Sequence, residues 1–426
     1  MRLSLRTDRP LLRAEARSTR YLLASIAAPA APARAARIPV NVGFVLDRSG
    51  SMHGERKFGL AREAVRQALR LLRPEDRFTL VVYDQEVDVL APATLATPEA
   101  KEFALARLAS VGPRGSTDLH AGWSTAAAQI GATLRDDAVT RVLLLTDGLA
   151  NHGITEPAAL LKTADELRRL GIVTSTFGVG ADFDERLLRD VAHEGGGNFY
   201  FIESPAQIAD LLTSELGEAL EVVARDAALH LVLPAGAEAE IVNRFRVTPS
   251  GRDELRVHLG DLVSQQELRV VVRIRFASGA PGSVAQVEAR VVERSGAHDT
   301  LPVICEWRYA DHAANDAQRR DVVVDREVAA MYAARARAEA TEFNRHGDFD
   351  RARRVLERTA DRIGRYANGD RALEAIRRAL RDDVERYAEQ AMSPMQLKMA
   401  MYVSESESKG RGADGRARRS PGRYPR

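Results

Sequence analysis

Between residues 38 and 220, short apolar runs alternate with longer stretches whose apolar positions recur at helical spacing. Two of the runs, Val42–Leu46 and Val142–Leu145, contain no polar side chain, which is typical of central strands buried on both faces of a sheet. Residues 171–179 form a third, more mixed strand candidate. Strands that alternate with helices through short connections predict a mostly parallel sheet covered by helices on both faces.

One edge of this sheet is predicted to be antiparallel. Residues 77–83 and 87–95 both have strand character and are separated only by Asp84, Gln85 and Glu86, which indicates a hairpin. Six stretches between the strands have a helical pattern. They are residues 57–73, 98–109, 119–134, 157–170, 185–193 and 205–220.

After about residue 221 the apolar positions recur with a period of two, which predicts a β-rich second domain with a sandwich-like arrangement. Its strand candidates are residues 228–233, 255–259, 267–276 and 283–292. Residues 2–5 and 20–25 also have strand character but are too few to bury a core alone. We therefore expect them to complete the β-rich domain, with the α/β domain inserted between the two parts.

The last third of the chain is predicted to be helical and to end in a polar tail. Residues 333–363 form two helical runs around Gly347 and Asp348, faintly similar to one tetratricopeptide unit. The arginines from Arg351 to Arg381 are interleaved with acidic residues, which favours a solvated helix face. The predicted segments are N-terminal strands (1–38), an α/β domain (39–220), a β-rich domain (221–310), a helical region (311–402) and a disordered basic tail (403–426).

Charge and composition narrow the function classes. The formal net charge is only +2, and residues 409–426 hold seven basic residues and one acidic residue, so the rest of the chain is mildly acidic. This balance argues against a specific nucleic-acid partner. Cys305 is the single cysteine, which excludes an intramolecular disulfide and cysteine-rich zinc sites. Because we find neither a secretory signal pattern nor a transmembrane segment, we expect a cytoplasmic protein.

The candidate chemistry lies in three polar loops of the α/β domain. Asp47, Ser49 and Ser51 directly follow the apolar strand that ends at Leu46, and Asp147 follows the second apolar strand. Thr117 precedes a predicted helix. Loops at the carboxyl ends of the strands are where such sheets bind ligands. Two carboxylates and three hydroxyls suit a small hard cation, so we predict a site for Mg²⁺, with Mn²⁺ or Ca²⁺ as alternatives.

These residues carry a family resemblance. The runs Asp47-Arg48-Ser49-Gly50-Ser51-Met52, Gly115-Ser116-Thr117-Asp118-Leu119 and Thr146-Asp147-Gly148 resemble the von Willebrand factor A (VWA) domain with its metal-ion-dependent adhesion site (MIDAS). The resemblance implies a Rossmann-like doubly wound sheet over about residues 38–220, with a divalent ion that an acidic residue of a partner protein completes. It implies Ser49, Ser51 and Thr117 as direct ligands, with the two aspartates able to act through water. The following β-rich domain more weakly resembles bacterial and inter-alpha-trypsin-inhibitor-like proteins.

Simpler interpretations remain open for each feature. Asp47 and Ser49 could merely cap their own turn, and His53 and His152, which follow two of the loops, are more typical of exposed loop histidines than of ligands. The basic tail could bind nucleic acid or anionic lipid, although a solubilising role is favoured.

The predicted function is magnesium-dependent binding of a partner protein's carboxylate. A magnesium-dependent hydrolase and a scaffold with a vestigial site are the alternatives, but we expect no enzymatic activity because no general base accompanies the metal residues. The resemblance also suggests a partner system with an AAA-type ATPase of the MoxR kind.

Overall fold

The computed structural model describes residues 1–31 and 37–419, apart from the side chain of Glu55. They divide into two compact units, of which one consists of Met1–Ala30 with Val223–Arg426 and the other of Ala31–Val222. The second unit is therefore inserted, in sequence, between the two segments of the first. No helix in the described ranges is long and apolar enough to cross a membrane.

The strands are numbered in chain order. Their bounds are β1 Arg2–Thr7, β2 Leu11–Arg13, β3 Ser18–Ala27, β4 Val40–Asp47, β5 Arg77–Tyr83, β6 Val87–Leu95, β7 Val139–Thr146, β8 Ile172–Val179, β9 Gly196–Ile202, β10 Val222–Val232, β11 Glu238–Ile241, β12 Arg246–Pro249, β13 Glu254–Val263, β14 Glu267–Phe276, β15 Val284–Val292 and β16 Val303–Ala310.

The α-helices follow the same convention. Their bounds are α1 Lys57–Leu71, α2 Pro98–Ala109, α3 Leu119–Gly131, α4 Pro157–Arg169, α5 Glu185–Glu194, α6 Ile208–Leu220, α7 His312–Ala317, α8 Val322–Arg345, α9 Phe349–Gly364, α10 Arg371–Ala388 and α11 Pro394–Ser408. Gly50–Arg56 and Pro205–Gln207 form 3₁₀ turns.

The inserted unit is built on one six-stranded sheet with the order β6-β5-β4-β7-β8-β9. All its pairs are parallel except β5 with β6, so the predicted doubly wound sheet with one antiparallel edge is confirmed. The two fully apolar runs lie within the neighbouring central strands β4 and β7, in which every residue is buried. Burial on both faces is what removes the alternation of polar and apolar positions from these strands.

The helices of this unit lie close to their predicted positions because their sequences carry local start signals. Thr97, Asp118 and Asp184 accept backbone N–H groups at the first turns of α2, α3 and α5. Trp123 of α3 is fully buried, and its indole N–H donates to Thr174 Oγ1 of β8 at 3.2 Å. These contacts hold α3 on the sheet and thereby place the loop that precedes it.

The other unit contains two sheets, with the orders β1-β3-β14-β11 and β12-β13-β10-β15-β16-β2. The N-terminal strands belong to both: β3 pairs antiparallel with β14 over ten residues, and β2 pairs parallel with β16. Apolar residues of both sheets form one core, including Leu22 of β3, Leu231 of β10 and Trp307 of β16. The first boundary between the units follows residue 30, eight residues before the predicted position after residue 38. The second follows residue 222, two residues after the predicted position after residue 220.

Helices α8 to α11 enclose a second apolar cluster, with Leu356 of α9 and Leu380 of α10 fully buried in it. The break between α8 and α9 falls at Gly347 and Asp348, as their residue types predict. Gly347 has a positive φ of 72°, and Asp348 caps α9 by accepting the backbone N–H of Arg351.

The predicted disordered tail from residue 403 is wrong for residues 403–419. Helix α11 continues to Ser408, and Glu405 is buried against Arg244, with 3.2 Å between Oε2 and Nε. Further on, the backbone N–H of Glu267 donates to the carbonyl of Arg418 at 2.9 Å. Backbone hydrogen bonds and ion pairs therefore order a segment whose polar composition alone indicates disorder. Residues 420–426, and residues 32–36 of the predicted linker, lie outside the described residues.

Candidate metal centre

The centre begins at the carboxyl ends of two adjacent strands. Strands β4 and β7 pair in parallel with Leu46 opposite Leu145, so Asp47 lies beside Thr146 and Asp147 follows one residue later. The side chains of Asp47 and Asp147 are completely buried. Thr146 Oγ1 donates to Asp47 Oδ2 at 2.5 Å, which connects the two strand ends.

The first loop folds back over the end of β4. The backbone N–H of Ser49 donates to Asp47 Oδ1 at 2.7 Å, and the Oγ atoms of Ser49 and Ser51 lie 3.1 Å apart. Ser51 Oγ in turn donates to Asp147 Oδ1 at 2.6 Å. Ser51 is solvent exposed whereas Ser49 is buried, so Ser51 marks the open side of the centre.

The second loop is held against the third. Thr117 donates its backbone N–H to Asn151 Oδ1 at 2.8 Å, and its carbonyl accepts the backbone N–H groups of Asn151 and His152. A Cβ added to Gly148 would lie 3.5 Å from Ser51 Oγ and 3.6 Å from Thr117 Oγ1. The backbone of the third loop therefore lies close to both hydroxyls, and the three predicted loops meet at one point.

Lys57 is a part of the centre that the sequence analysis missed. It is the first residue of α1, is only 9% exposed, and donates from Nζ to Asp147 Oδ2 at 2.7 Å. Asp147 thus accepts from Ser51 with one oxygen and from Lys57 with the other. The sequence shows a lysine at the start of the helix that follows the first loop. The direction of this side chain, however, depends on the 3₁₀ turn between the loop and the helix.

A set of ion pairs outside the centre connects the first two loops with the β5–β6 hairpin. Arg48 Nε lies 3.1 Å from Asp84 Oδ2, and Arg114 Nε lies 2.7 Å from the same oxygen. Arg48 also pairs with Asp88, and Arg114 with Glu86. Arg48 and Asp84 are both buried, so the charge-assisted hydrogen bond between them is stronger than an exposed ion pair and helps to position the loops. These ion pairs, like Lys57, were not predicted from the sequence.

The histidines next to the loops are placed as exposed residues. His53 is exposed, and the side chain of His152 is 55% exposed with its Nδ1 3.3 Å from Asp118 Oδ2. Asp118 caps α3. Across the described ranges, no three or more His, Cys, Asp and Glu side chains are grouped so that they could hold a metal. The centre instead combines two carboxylates with serine and threonine hydroxyls.

The electrostatics of this donor set fit a hard cation. Burial raises the pKa of Asp47 to about 6, although the hydrogen bonds from Ser49 and Thr146 oppose the shift and the charge of Asp147 adds to it. Among the described residues only Asp147 of these two buried carboxylates has a cationic partner, Lys57, so the pair favours a further positive charge. Oxygen atoms are the ligands that Mg²⁺, Mn²⁺ and Ca²⁺ prefer, so the residues fit the predicted ion.

Known proteins share both the domain and the wider fold. The profile of the von Willebrand factor type A domain matches residues 41–214. The Escherichia coli (strain K12) protein "Uncharacterized protein YfbK" is 29% identical over 187 residues, 44% of this chain and 32% of that protein. Human inter-alpha-trypsin inhibitor heavy chain H4 is 30% identical over 173 residues, 39% of this chain and 18% of that protein. The matches thus span about a third or less of these relatives' own length.

A solved structure extends the likeness beyond the matched domain. The structure described as "von Willebrand factor type A from Catenulispora acidiphila" covers 94% of this chain and 96% of its own, with a TM-score of 0.74 and 19% identity. At this identity the likeness shows the fold alone. The match over residues 41–214, together with the strand order and the three converging loops, identifies the inserted unit as a von Willebrand factor type A domain.

Proposed function

We propose that this chain binds a partner protein through a divalent cation at the candidate metal centre, with an aspartate or glutamate of the partner as the remaining ligand. The observation that carries the proposal is the convergence of three loops, in which Ser51 Oγ lies 3.1 Å from Ser49 Oγ and 2.6 Å from Asp147 Oδ1. Domains of this family typically mediate protein interactions through such a site. Mg²⁺ is the ion we expect, with Mn²⁺ and Ca²⁺ as alternatives.

Each residue of the centre has a separate role in this proposal. The hydroxyls of Ser49, Ser51 and Thr117 would hold the cation, while Asp47 and Asp147 supply the negative charge around it. A bound Mg²⁺ would supply a Lewis-acidic position open to an external carboxylate. Thr146 and Lys57 hold the two aspartates through the hydrogen bonds described above, so the donor set is ordered before a partner arrives.

The surroundings of the open side support a protein as the ligand. Two residues after Asp147, Leu149 is 55% exposed, and Ile154 on the same loop is 45% exposed. Apolar side chains beside a charged contact are typical of protein interfaces, in which they exclude water from the charged pair. A coordinated carboxylate flanked by these side chains would therefore be partly desolvated, which strengthens its attraction to the cation.

The hydrogen bonds of both carboxylates favour binding over catalysis. Asp47 accepts from Ser49 N and Thr146 Oγ1, and Asp147 accepts from Ser51 and Lys57. A general base must be free to take a proton from an attacking water, and both carboxylates are already occupied. We therefore propose a binding protein, with the magnesium-dependent hydrolase and the vestigial scaffold as the outcomes to be tested against it.

Partner capture tests the proposal. The full chain is immobilised and exposed to a lysate of cells that encode it, in Mg²⁺ or in EDTA, beside the Ser51→Ala variant. Ser110→Ala provides a matched control, since Ser110 is exposed and its hydroxyl donates to the carbonyl of Arg107 on its own helix end. A protein retained in Mg²⁺ and released by EDTA is then retested with its acidic surface residues replaced. The same capture tests the prediction of a MoxR-type ATPase partner.

We expect wild type and Ser110→Ala to retain the partner in Mg²⁺ and Ser51→Ala to lose it. Leu149→Ala should weaken partner retention and leave Mg²⁺ binding unchanged, because this side chain is not in the donor set. Retention that is indifferent to EDTA and to Ser51→Ala would mean a vestigial site. Magnesium-dependent turnover of p-nitrophenyl phosphate or a peptide would favour the hydrolase.

A further inference from the structure

A groove of about 420 Å³ lies on the helical part of the non-inserted unit, between α8 and α9. Phe343 of α8 and Val355 of α9 give it an apolar floor, and both are half-buried. The guanidinium carbon of Arg351 lies 5.9 Å from the centre of the Phe343 ring, so charged and apolar groups are in contact here. This groove is remote in sequence from the metal loops.

Four arginines of α9 line this arginine groove: Arg351, Arg354, Arg358 and Arg362. Their spacing of three, four and four residues places them on one face of the helix over about 16 Å. All four are exposed. They face a single acidic lining residue, Glu339 of α8.

Most of this charge lacks a counter-charge among the described residues. Arg351 pairs with Asp348 at 3.3 Å, but over residues 1–31 and 37–419 no carboxylate oxygen lies within ion-pair distance of the guanidinium groups of Arg354, Arg358 or Arg362. Like charges one helical turn apart repel each other and weaken the helix. A ligand with negative charges at matching intervals would remove this repulsion on binding.

We propose that the arginine groove binds an acidic peptide segment of a partner protein. Its carboxylates would pair with Arg354, Arg358 and Arg362, and an apolar side chain between them would cover Phe343 and Val355. An extended peptide advances about 3.4 Å per residue, so alternate carboxylates lie about 7 Å apart and five or six residues span the groove. The apolar floor and Glu339 disfavour a nucleic-acid backbone, which offers continuous charge and no aliphatic side chain.

The probe is a fluorescein-labelled peptide of alternating glutamate and leucine, measured by fluorescence anisotropy with the full chain. All titrations contain EDTA and use the Ser51→Ala background, so that the carboxylates of the probe cannot be held at the metal centre. The test variant is Arg354→Glu with Arg358→Glu. The matched control is Arg365→Glu with Arg378→Glu. Arg365 directly follows α9 and Arg378 lies on α10; both are exposed, and neither lines the groove.

The expected result is saturable binding that weakens about tenfold or more in the groove variant and less than about twofold in the control. A peptide with lysine in place of glutamate should not bind. Equal weakening by both variants would overturn the proposal by showing general charge attraction, and tighter binding of a short single-stranded RNA than of the peptide would overturn it in favour of a nucleic-acid ligand. Circular dichroism of both variants excludes loss of the helices as the cause.

Discussion

The replacement of Lys57 by methionine tests how the metal centre is stabilised. The ammonium group of Lys57 lies 2.7 Å from Asp147 Oδ2, and the exposed fractions of the two side chains are 11% and 0%. Methionine keeps the length and the apolar stem of the side chain and removes only the charge. The buried carboxylate of Asp147 would then keep a single side-chain donor, Ser51 Oγ.

Removal of one partner from a buried ion pair destabilises a protein by about 3–5 kcal/mol, because the remaining charge stays buried without compensation. The Ser51 hydrogen bond to Asp147 persists, so we expect the lower end, about 3 kcal/mol, in EDTA. Mg²⁺ should stabilise the variant more than it stabilises wild type, because the added cation takes over part of the missing charge at Asp147.

Urea unfolding followed by tryptophan fluorescence measures this effect. The chain has two tryptophans, and a Trp307→Phe background leaves Trp123, which is fully buried on α3, to report on the inserted unit. Lys162→Met is the matched control, since Lys162 pairs with Glu166 at 3.7 Å on the exposed side of α4 and its loss should change stability by less than about 1 kcal/mol. Equal stabilities for Lys57→Met and Lys162→Met would refute the assigned role of Lys57.

Three further predictions concern the rest of the fold. Glu215 is fully buried and accepts hydrogen bonds from Arg141 and Tyr200, so Glu215→Ala should destabilise the inserted unit by about 3–5 kcal/mol in the same urea assay. Burial, and to a smaller extent the charge of Glu306, raises the pKa of Cys305 to about 12, so iodoacetamide at about pH 8 should label it only after unfolding. Deletion of residues 403–426 should lower the Tm of the non-inserted unit, as calorimetry would show; an unchanged Tm would contradict the packing of this segment.

The strands and the donor residues of the inserted unit could be predicted because their signals are local. The apolar runs Val42–Leu46 of β4 and Val142–Leu145 of β7 can be recognised without knowledge of distant residues, and Asp47, Ser49 and Ser51 come directly after the first run. Parallel strands bring their carboxyl ends to one edge, so the meeting of the loops follows from the topology.

Contacts between distant residues could not be predicted in this way. Lys57 follows a 3₁₀ turn that ends at Arg56 with a positive φ of 59°, a backbone conformation that no local sequence pattern predicted. Asn151 holds Thr117 across 34 residues of sequence. Residues 403–419 have a polar composition, and their order depends on the backbone of Glu267 and on the charge of Arg244, which are far away in the chain.

Calorimetric titration of Mg²⁺ into the full chain measures whether the three loops hold the cation, with Ser49→Ala/Ser51→Ala as the altered protein and Ser110→Ala as its control. We expect saturable binding of one ion by wild type and by the control, and no measurable binding by the double variant. Identical binding isotherms for wild type and the double variant would contradict this expectation, because the ion would then be held by other residues.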